Sequence, residues 1–594
     1  MAGAPAAARE RLATWVQAER ARILAQLGDD RDAAAAEARA REVLEVVARH
    51  ARVSDDDAWR EAAAIARLTN QLVELDSATR DEVISLHRAA PGVVRTLAFE
   101  LRDHDDVPSA YALLLLLIEE HGTKQIARYA NLAAALCVVH DAGPVSRRVN
   151  ENSVVGPASL ALFDYLVSHD RDTLWGLAGT PPGMLVYVVD AAAPVSELQW
   201  AVGKHRGDRQ IGKRYHQINY DTRHYKQGTP KRLTEEGFSL PNIARFGGIC
   251  VDQAYYAEHA GKSIGVPTVT VTSRSSTGGH CWVGFVERRG SSLRWNFEEG
   301  RYDEYEDLRG MLDDPQSGQP ITPDELAIRL AFDSAPRAER EHVQALADAA
   351  AFLLDAGSPP AAPESVSGLL RTPRPSGVEG ALLLARGALG VNAGAHSAWA
   401  LAREVFASAE VGASDRREWT SAALTIAGRE SPYFALDQIR AIIAGTPRAQ
   451  ERAELWAWVA KRLRAWPMII AEAKLSEAEA WADAGDKHRA WVTYEAILRE
   501  HVDEGQAAVV ASLAMARMLA ASGRSDLIDG ALGDAWRRIS RPAPRRVSSA
   551  MGSNWYRVGS AYATALERAG RDRDAENVRR QLESVVRGEP AGGG

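Results

Sequence analysis

The sequence predicts an α+β protein in which a mixed central region lies between two helical regions. Alanine, leucine and valine recur at helical spacing through the first 149 residues, notably in 31–50, 69–75 and 110–118. β-branched residues and alternating apolar residues cluster between positions 268 and 298. Helical patterns return after position 322. We therefore predict four parts, with bounds 1–149 (helical), 150–312 (central domain), 313–588 (helical repeats) and 589–594 (disordered tail).

Length and composition exclude several functional classes. A chain of 594 residues is too long for one hydrophobic core. The net charge of -8 gives no basic footprint, so nucleic acid is not expected as a partner. The apolar run from Val107 to Ile118 is too short to span a membrane, and charges at Arg9 and Glu10 come too early for a signal peptide. We expect a cytoplasmic protein without membrane contact, although a removed signal peptide would leave the same sequence.

The three cysteines, Cys137, Cys250 and Cys281, include no CxxC pair. Neither a disulfide scaffold nor a zinc ribbon is therefore predicted. A zinc site could be drawn from Cys250, His280 and Cys281, but neighbouring residues on a strand point to opposite faces. The sequence predicts no metal and no cofactor.

The central region opens with two apolar segments and a basic stretch. The valine-rich run from Met184 to Asp190 predicts a strand, and residues 215–220 predict a second, short strand. Residues 195–202 have the pattern of a helix. Basic residues near the second segment either line a cleft or form a solvated face; they are Lys213, Arg214, Arg223, His224 and Lys226.

Cys250 stands at a predicted helix start. Gly247 and Gly248 disfavour regular structure, whereas the residues from Cys250 onward favour a helix that ends near Gly261. A thiol at such a position faces unpaired backbone N–H groups and the positive end of the helix dipole, which stabilise a thiolate. Cys250 is therefore the candidate nucleophile.

A predicted hairpin follows this helix and supplies two further candidates. Residues 268–272 form a first strand, 280–286 a second and 293–298 a returning third. A thiol nucleophile needs a group that carries the proton and another that orients that group. His280 is the candidate for the first role and Asn296 for the second.

Two parts of this site stay open at the sequence level. Glu298 lies on the same strand face as Asn296 and is its rival for the orienting role. The backbone N–H of Cys250 is a donor for the oxyanion, and the further candidates are Tyr215, Gln217 and Tyr220.

Together, these residues resemble the transglutaminase-like superfamily of papain-like cysteine enzymes. That family has a Gly-x-Cys helix start, a Gly-[Ile/Val]-Pro turn, a His-x-Trp strand, and an Asp or Asn after a Trp-containing stretch. The family usually has Asp at the last position, so Asn296 makes the site closer to a Cys-His-Asn triad. The resemblance covers about residues 175–305, and its matching positions are Gly248, Cys250, Gly265, Val266, Pro267, His280, Trp282, Trp295 and Asn296.

The resemblance implies a papain-like central domain that performs thiol-mediated acyl transfer on protein or peptide amides. Cys250 would attack the amide carbonyl, His280 would carry the proton, and Asn296 would orient the imidazole ring. The acyl group would pass to water, as in a hydrolase, or to an amine, as in an acyltransferase. The alternative is a non-catalytic interaction scaffold with a degenerate central domain.

The C-terminal part carries a weak repeat. Thr322, Pro323 and Glu325 form a helix-start signal. Gly485 recurs as Gly523 and Gly570, with unequal spacings of 38 and 47 residues (523 − 485 and 570 − 523). We predict a solenoid of degenerate helical hairpins that offers a surface to a partner protein. The residues that resemble a tetratricopeptide unit are Ala478, Trp481, Gly485, Ala490 and Tyr494.

Overall fold

The structure is a computed structural model. It describes residues 3–27, 33–275, 278–290, 292–303, 308–355, 377–408, 411–427, 431–463, 466–542 and 551–587. Most of these residues are helical, and their strands form three small sheets, which is compatible with the predicted α+β class. The papain-like architecture of the central domain stays a prediction. The tail predicted for 589–594 lies outside the described residues.

The chain divides into two compact units. One comprises Met1–Thr272, Cys281–Asp303 and Gly310–Ala402, and the other comprises Ser273–His280, Glu304–Arg309 and Arg403–Gly594. These units are groups of residues in contact, whereas the bounds 1–149, 150–312 and 313–588 came from changes in sequence pattern. Those bounds stay predictions.

The predicted N-terminal helices are confirmed. Their buried faces carry small and branched apolar residues, and helix Asp56–Glu74 alone buries ten side chains. The helices of this part are Gly3–Gln26, Ala33–His50, Asp56–Glu74, Ser77–Ala89, Pro91–Glu100, Val107–His121, Thr123–Arg128 and Ala130–Val139.

Two predicted strands of the central region are wrong. The run from Met184 to Asp190 lies in helix Pro182–Val189, which starts with a proline in its first turn and is buried at seven of its eight residues. A fully buried helix and a buried strand have the same apolar sequence pattern, so periodicity could not separate them. Residues 215–220 include the end of helix Ile211–Gln217, and Tyr220 makes only an isolated parallel bridge with Gly248.

Four of the preceding helices in this region pack against one longer helix. They include the predicted helix over 195–202, which extends over Val195–His205. Helix Cys250–Ser263, called the thiol helix below, begins at the predicted residue. The helices that precede it are Ser159–Ser168, Pro182–Val189, Val195–His205, Ile211–Gln217, Thr222–Gln227, Arg232–Glu235 and Leu240–Phe246.

The strands form three sheets, and the middle sheet carries the predicted hairpin. β1 (Ser146–Val149) pairs with β2 (Asn152–Val155). β3 (Thr268–Ser275), β4 (Gly278–Arg289) and β5 (Ser292–Asn296) form a sheet in that order, which confirms the three predicted strands. The last pair joins β6 (Leu312–Asp313) to β7 (Pro320–Ile321).

Helices dominate the chain after β7. Thr322 caps the first of them through its side chain, as predicted, and Pro323 opens it. The helices of this part are Pro323–Asp333, Arg337–Asp355, Val378–Val391, His396–Ser408, Ala413–Ala427, Pro432–Ala444, Ala449–Ala460, Pro467–Asp483, Lys487–Glu500, Ala507–Ala521, Ile528–Arg538, Asn554–Arg568 and Asp572–Val586.

The predicted helical hairpin around Gly485 is confirmed. Gly485 has a φ of 78°, which lets the chain turn between two helices that pack against each other. Ala478 and Trp481, which precede this turn, are buried. Ala490 and Tyr494, which follow it, are buried as well. Helical hairpins of this kind are consistent with a repeat array.

Candidate functional site

The start of the thiol helix is fixed by tight backbone packing. Gly247 has a φ of 79°, and a Cβ there would lie 2.3 Å from the carbonyl oxygen of Asn219, so only glycine fits. Ile249 follows in an extended conformation, and its N–H donates to Asp252 Oδ2 at 2.8 Å. These constraints place Cys250 at the first residue of the helix, as the sequence predicts.

The thiol helix is buried along its whole length. Of its fourteen residues, thirteen are buried, including charged side chains that are paired within the core. Glu258 accepts from Arg147 at 2.7 Å and pairs with Lys262 at 3.1 Å, and Lys262 lies 3.4 Å from Asp190. The helix therefore holds Cys250 on a rigid support.

The Cys250 thiol contacts a second thiol. The interaction of Cys250 with the Cys281 side chain is the main cause that lowers the pKa of the Cys250 thiol, to about 7. Burial opposes the shift, and the backbone N–H groups of Cys281 and Val251 add to it. The same interaction, together with burial, raises the pKa of Cys281. The interaction therefore favours ionisation of Cys250 over ionisation of Cys281.

Tyr215 holds the strand segment that carries Cys281. Its buried hydroxyl donates to the carbonyl oxygen of Cys281 at 2.8 Å. This bond fixes the main chain beside the Cys250 sulfur. Of the other candidate oxyanion donors, Gln217 is exposed at the end of its helix, and Tyr220 is half-buried at its bridge to Gly248.

Gln253 links the thiol helix to the segments beside it. Its amide nitrogen donates to the carbonyl oxygen of Ile218 at 2.7 Å and lies 2.9 Å from the Tyr302 hydroxyl. Gln253 is fully buried, so these bonds satisfy an amide that would otherwise be costly to bury.

A buried ion pair lies in the first turn of the thiol helix, two residues after Cys250. Lys231 Nζ is 3.2 Å from Asp252 Oδ2 and 3.1 Å from Glu151 Oε1. Burial is the largest influence on Asp252 and raises the pKa of its carboxyl group, against the attraction of Lys231. Asp252 in turn opposes ionisation of Cys250, because two negative charges near each other repel.

The side chain of Asn296 forms hydrogen bonds within its own hairpin. β5 pairs Asn296 with Phe285, which lies five residues along β4 from His280, roughly 16 Å of extended chain. Its amide nitrogen donates to Glu287 Oε2 at 3.2 Å, and its carbonyl oxygen accepts from the N–H groups of Glu298 and Glu299, each at 3.0 Å. The register thus does not place Asn296 beside His280.

The remaining predicted residues lie on the same hairpin. His280 immediately precedes Cys281 on β4 and is half-buried. In a regular strand, its side chain and that of Cys281 point to opposite faces. Glu298, the rival of Asn296, is exposed and pairs with Arg301.

Sequence reasoning missed Cys281, Gln253 and Lys231 as neighbours of the nucleophile. The sequence suggests Cys281 only as a metal ligand, and its position next to His280 is the local signal for a role at the site. Gln253 and Lys231 act through buried contacts between distant parts of the chain, which no local pattern predicts.

Among the described residues, no group of three or more His, Cys, Asp or Glu side chains is placed to hold a metal ion. The part of the chain that the structure describes also contains no helix long and apolar enough to cross a bilayer. Comparison with protein-family models, with curated proteins and with solved structures finds no match to the chain.

Proposed function

We propose that this protein is a cysteine enzyme that transfers acyl groups from protein or peptide amides, with Cys250 as the nucleophile. The observation that carries the proposal is the Cys250 thiol itself, which has a pKa of about 7 and lies at the start of a buried helix. A lowered pKa increases the share of the thiol that is reactive thiolate near neutral pH. The transglutaminase-like motif around it supports the same chemistry.

The first step forms a thioester. The Cys250 sulfur attacks the amide carbonyl carbon, and the carbonyl π electrons move to oxygen, where the backbone N–H of Cys250 is the predicted donor. As the C–O double bond reforms, the C–N bond breaks and the amine leaves with a proton. Attack by water or by a second amine then releases the acyl group and regenerates the thiolate.

Cys281 has a positioning role in this proposal. Its side chain interacts with the Cys250 thiol and lowers the pKa of that thiol, which favours the ionised nucleophile. His280 remains the predicted proton carrier for the leaving amine, which requires that its ring reach the same face of β4 as Cys281, against the alternation of a regular strand. Asn296 receives no chemical step, because its amide groups already bond to the turn and to Glu287.

The primary test uses the full chain and a thiol-directed acylating probe at neutral pH. We expect labelling of the peptide that contains Cys250, and no labelling at that position in Cys250→Ala. Cys137 is an internal control, because burial raises the pKa of its thiol and leaves it unreactive. Equal total labelling of the wild type and of Cys250→Ala would remove Cys250 from the mechanism.

A second experiment separates hydrolysis from transamidation. The protein is incubated with a library of glutamine-containing peptides and a labelled primary amine, and mass spectrometry follows both products. Peptides to which the labelled amine has become attached identify an acyltransferase. Peptides in which the amide has become a carboxylic acid, with no amine attached, identify a hydrolase. Neither product forms in Cys250→Ala if the proposal is correct.

A non-catalytic scaffold is the second candidate, and the packed helical hairpins of the C-terminal part favour it. The two candidates differ in the role of His280. A proton carrier makes turnover depend on His280, so His280→Ala should lose at least about a hundredfold in kcat. A scaffold gives no turnover in either protein.

A further inference from the structure

Positive charge is concentrated beside the candidate nucleophile. The stretch 209–227, called the basic segment below, contains five arginine or lysine residues and one acid, Asp221. Its formal charge is therefore +4 (5 − 1), in a chain whose net charge is -8. Such a local excess attracts anionic groups, because its field extends about one Debye length, roughly 8 Å, into physiological solution.

Four of these five cations are available to a partner. Arg209, Lys213, Arg223 and Lys226 are exposed, and within the described residues none of them forms an ion pair. Cations at the borders of the segment differ, because Arg206 pairs with Asp172 and Arg232 with Glu236. The fifth cation, Arg214, is buried and pairs with Asp208. The basic segment thus carries charge that the fold itself does not neutralise.

Aromatic rings accompany these charges. Tyr225 is 61% exposed and contacts Tyr220 edge-on at a centroid distance of 5.9 Å. Tyr220 in turn contacts Tyr302 at 6.3 Å. Exposed tyrosines contribute large apolar contact area with few rotatable bonds, so they are frequent anchors for protein partners. The three rings form a continuous surface from solvent toward the thiol helix.

The basic segment is fixed to the start of the thiol helix. The N–H of Gly248 donates to the carbonyl oxygen of Asn219 at 3.0 Å, and the N–H of Asp221 donates to that of Gly248 at 2.8 Å. Gly248 is two residues before Cys250. Tyr215, within the same segment, bonds to Cys281. A ligand held by Tyr220 and Tyr225 would therefore lie next to the nucleophile.

We propose that the basic segment binds an acidic, aromatic-containing stretch of the protein substrate and so presents its amide group to Cys250. Exposed cations recognise the acidic side chains, and the ring surface of Tyr220, Tyr225 and Tyr302 receives the aromatic one. This assignment rests on the proposed acyl transfer and names its substrate class. A polyanion such as single-stranded nucleic acid also matches the charge, and the experiment below distinguishes it from an acidic peptide.

Binding is measured without turnover, so that the test does not depend on activity. Full-length Cys250→Ala is titrated against two fluorescent peptides that share a central phenylalanine and glutamine. One peptide has glutamates on both sides, and the other has lysines. We expect the acidic peptide to bind about tenfold more tightly, with a difference that shrinks as salt is added.

A charge-reversal pair locates the site. Arg223→Glu with Lys226→Glu should abolish the tenfold preference, whereas Arg88→Glu with Lys124→Glu should keep it. The control pair makes the same change in charge on exposed residues of the N-terminal helices, and its cations also lack ion pairs among the described residues. Both pairs lie on the surface, and circular dichroism verifies that each variant is folded.

The aromatic contact has its own control. Tyr225→Ala should weaken binding of the acidic phenylalanine peptide about fivefold. It should leave unchanged the binding of a matched peptide in which alanine replaces the phenylalanine. Equal affinity for the acidic and basic peptides, or a preference that survives Arg223→Glu with Lys226→Glu, overturns the proposal. So does tighter binding of a single-stranded oligonucleotide than of the acidic peptide. Failure of turnover with intact acidic-peptide binding would instead refute the acyl-transfer step alone.

Discussion

The two ends of strand β4 use buried polar groups for different purposes. At the first end, the Cys281 side chain and backbone interact with the Cys250 thiol and lower its pKa. At the turn end, Glu287 and Asn296 bond to each other, and Asn296 also holds the N–H groups that follow β5. The first end, called the reactive end below, carries a thiol with a lowered pKa. At the second end, called the turn end, the polar groups bond to one another and stabilise the hairpin.

This difference shows why motif spacing alone does not assign roles. Asn296 and Cys281 are both buried or half-buried polar residues of one hairpin. Only the pairing register, which joins Asn296 to Phe285, separates the amide from the reactive end. Four predictions test this division, beginning with the largest expected effect.

The largest effect concerns the ion pair beneath the reactive end. Asp252→Ala leaves Lys231 buried with only the half-exposed Glu151 as its partner, so we expect the free energy of unfolding to fall by about 3–5 kcal/mol. Urea denaturation measures the change. Asp252→Leu combined with Lys231→Met is the matched control and should recover most of the loss. A loss below about 1 kcal/mol would show that the pair is solvated.

The second prediction concerns the thiol pair. Cys281→Ala removes the main donor to Cys250, so the midpoint of the curve of iodoacetamide reactivity against pH should rise from about 7 to about 8.5. The sign follows from the lost stabilisation of the thiolate. Cys281→Ser keeps a donor at the same position and should restore part of the shift. An unchanged midpoint in Cys281→Ala would assign the low pKa to the helix start alone.

The third prediction concerns the turn end. Asn296→Ala leaves Glu287 and two backbone N–H groups without their partner, which should cost about 1–3 kcal/mol of stability. The pH midpoint of Cys250 alkylation should not move. Asn296→Asp retains the two backbone acceptor contacts and should cost less. A hundredfold loss of kcat in Asn296→Ala, without loss of stability, would restore its orienting role.

The smallest effect concerns the tether of Cys281. Tyr215→Phe removes the hydroxyl that bonds to the Cys281 carbonyl oxygen and keeps the buried ring. We expect a loss of about 1 kcal/mol in stability and a rise in the Cys250 midpoint smaller than that of Cys281→Ala. Thermal unfolding and alkylation rates give the two values. A larger midpoint shift than in Cys281→Ala would mean that Tyr215 controls the nucleophile directly.

The sequence predicted the elements of the reactive end well. The glycines before Cys250, the β-branched run after it and the alternation through β4 and β5 are local signals, and each marked the observed element. The same local reasoning failed for helix Pro182–Val189. A short apolar segment carries no period that separates a buried helix from a buried strand.

The site was predicted only in part, because its contacts join distant segments. Cys250 at a helix start follows from its neighbours in the chain. Its contact with Cys281 depends on how β4 lies against the helix, and the place of Asn296 depends on the register of a hairpin with a short turn. A sequence shows which residues share a strand face, but it does not show which residue faces them on the next strand.

Burial of the thiol helix on every side also determines how a reagent can arrive. Cys250 is only 7% exposed, and the flanks of its helix are enclosed by protein. A reagent must therefore reach a sulfur that is almost enclosed by protein, which favours small reagents over bulky ones. Small alkylating agents should consequently react faster than bulky polymer-linked ones at this sulfur. The ratio of the two rates should be far larger than at an ordinary surface thiol.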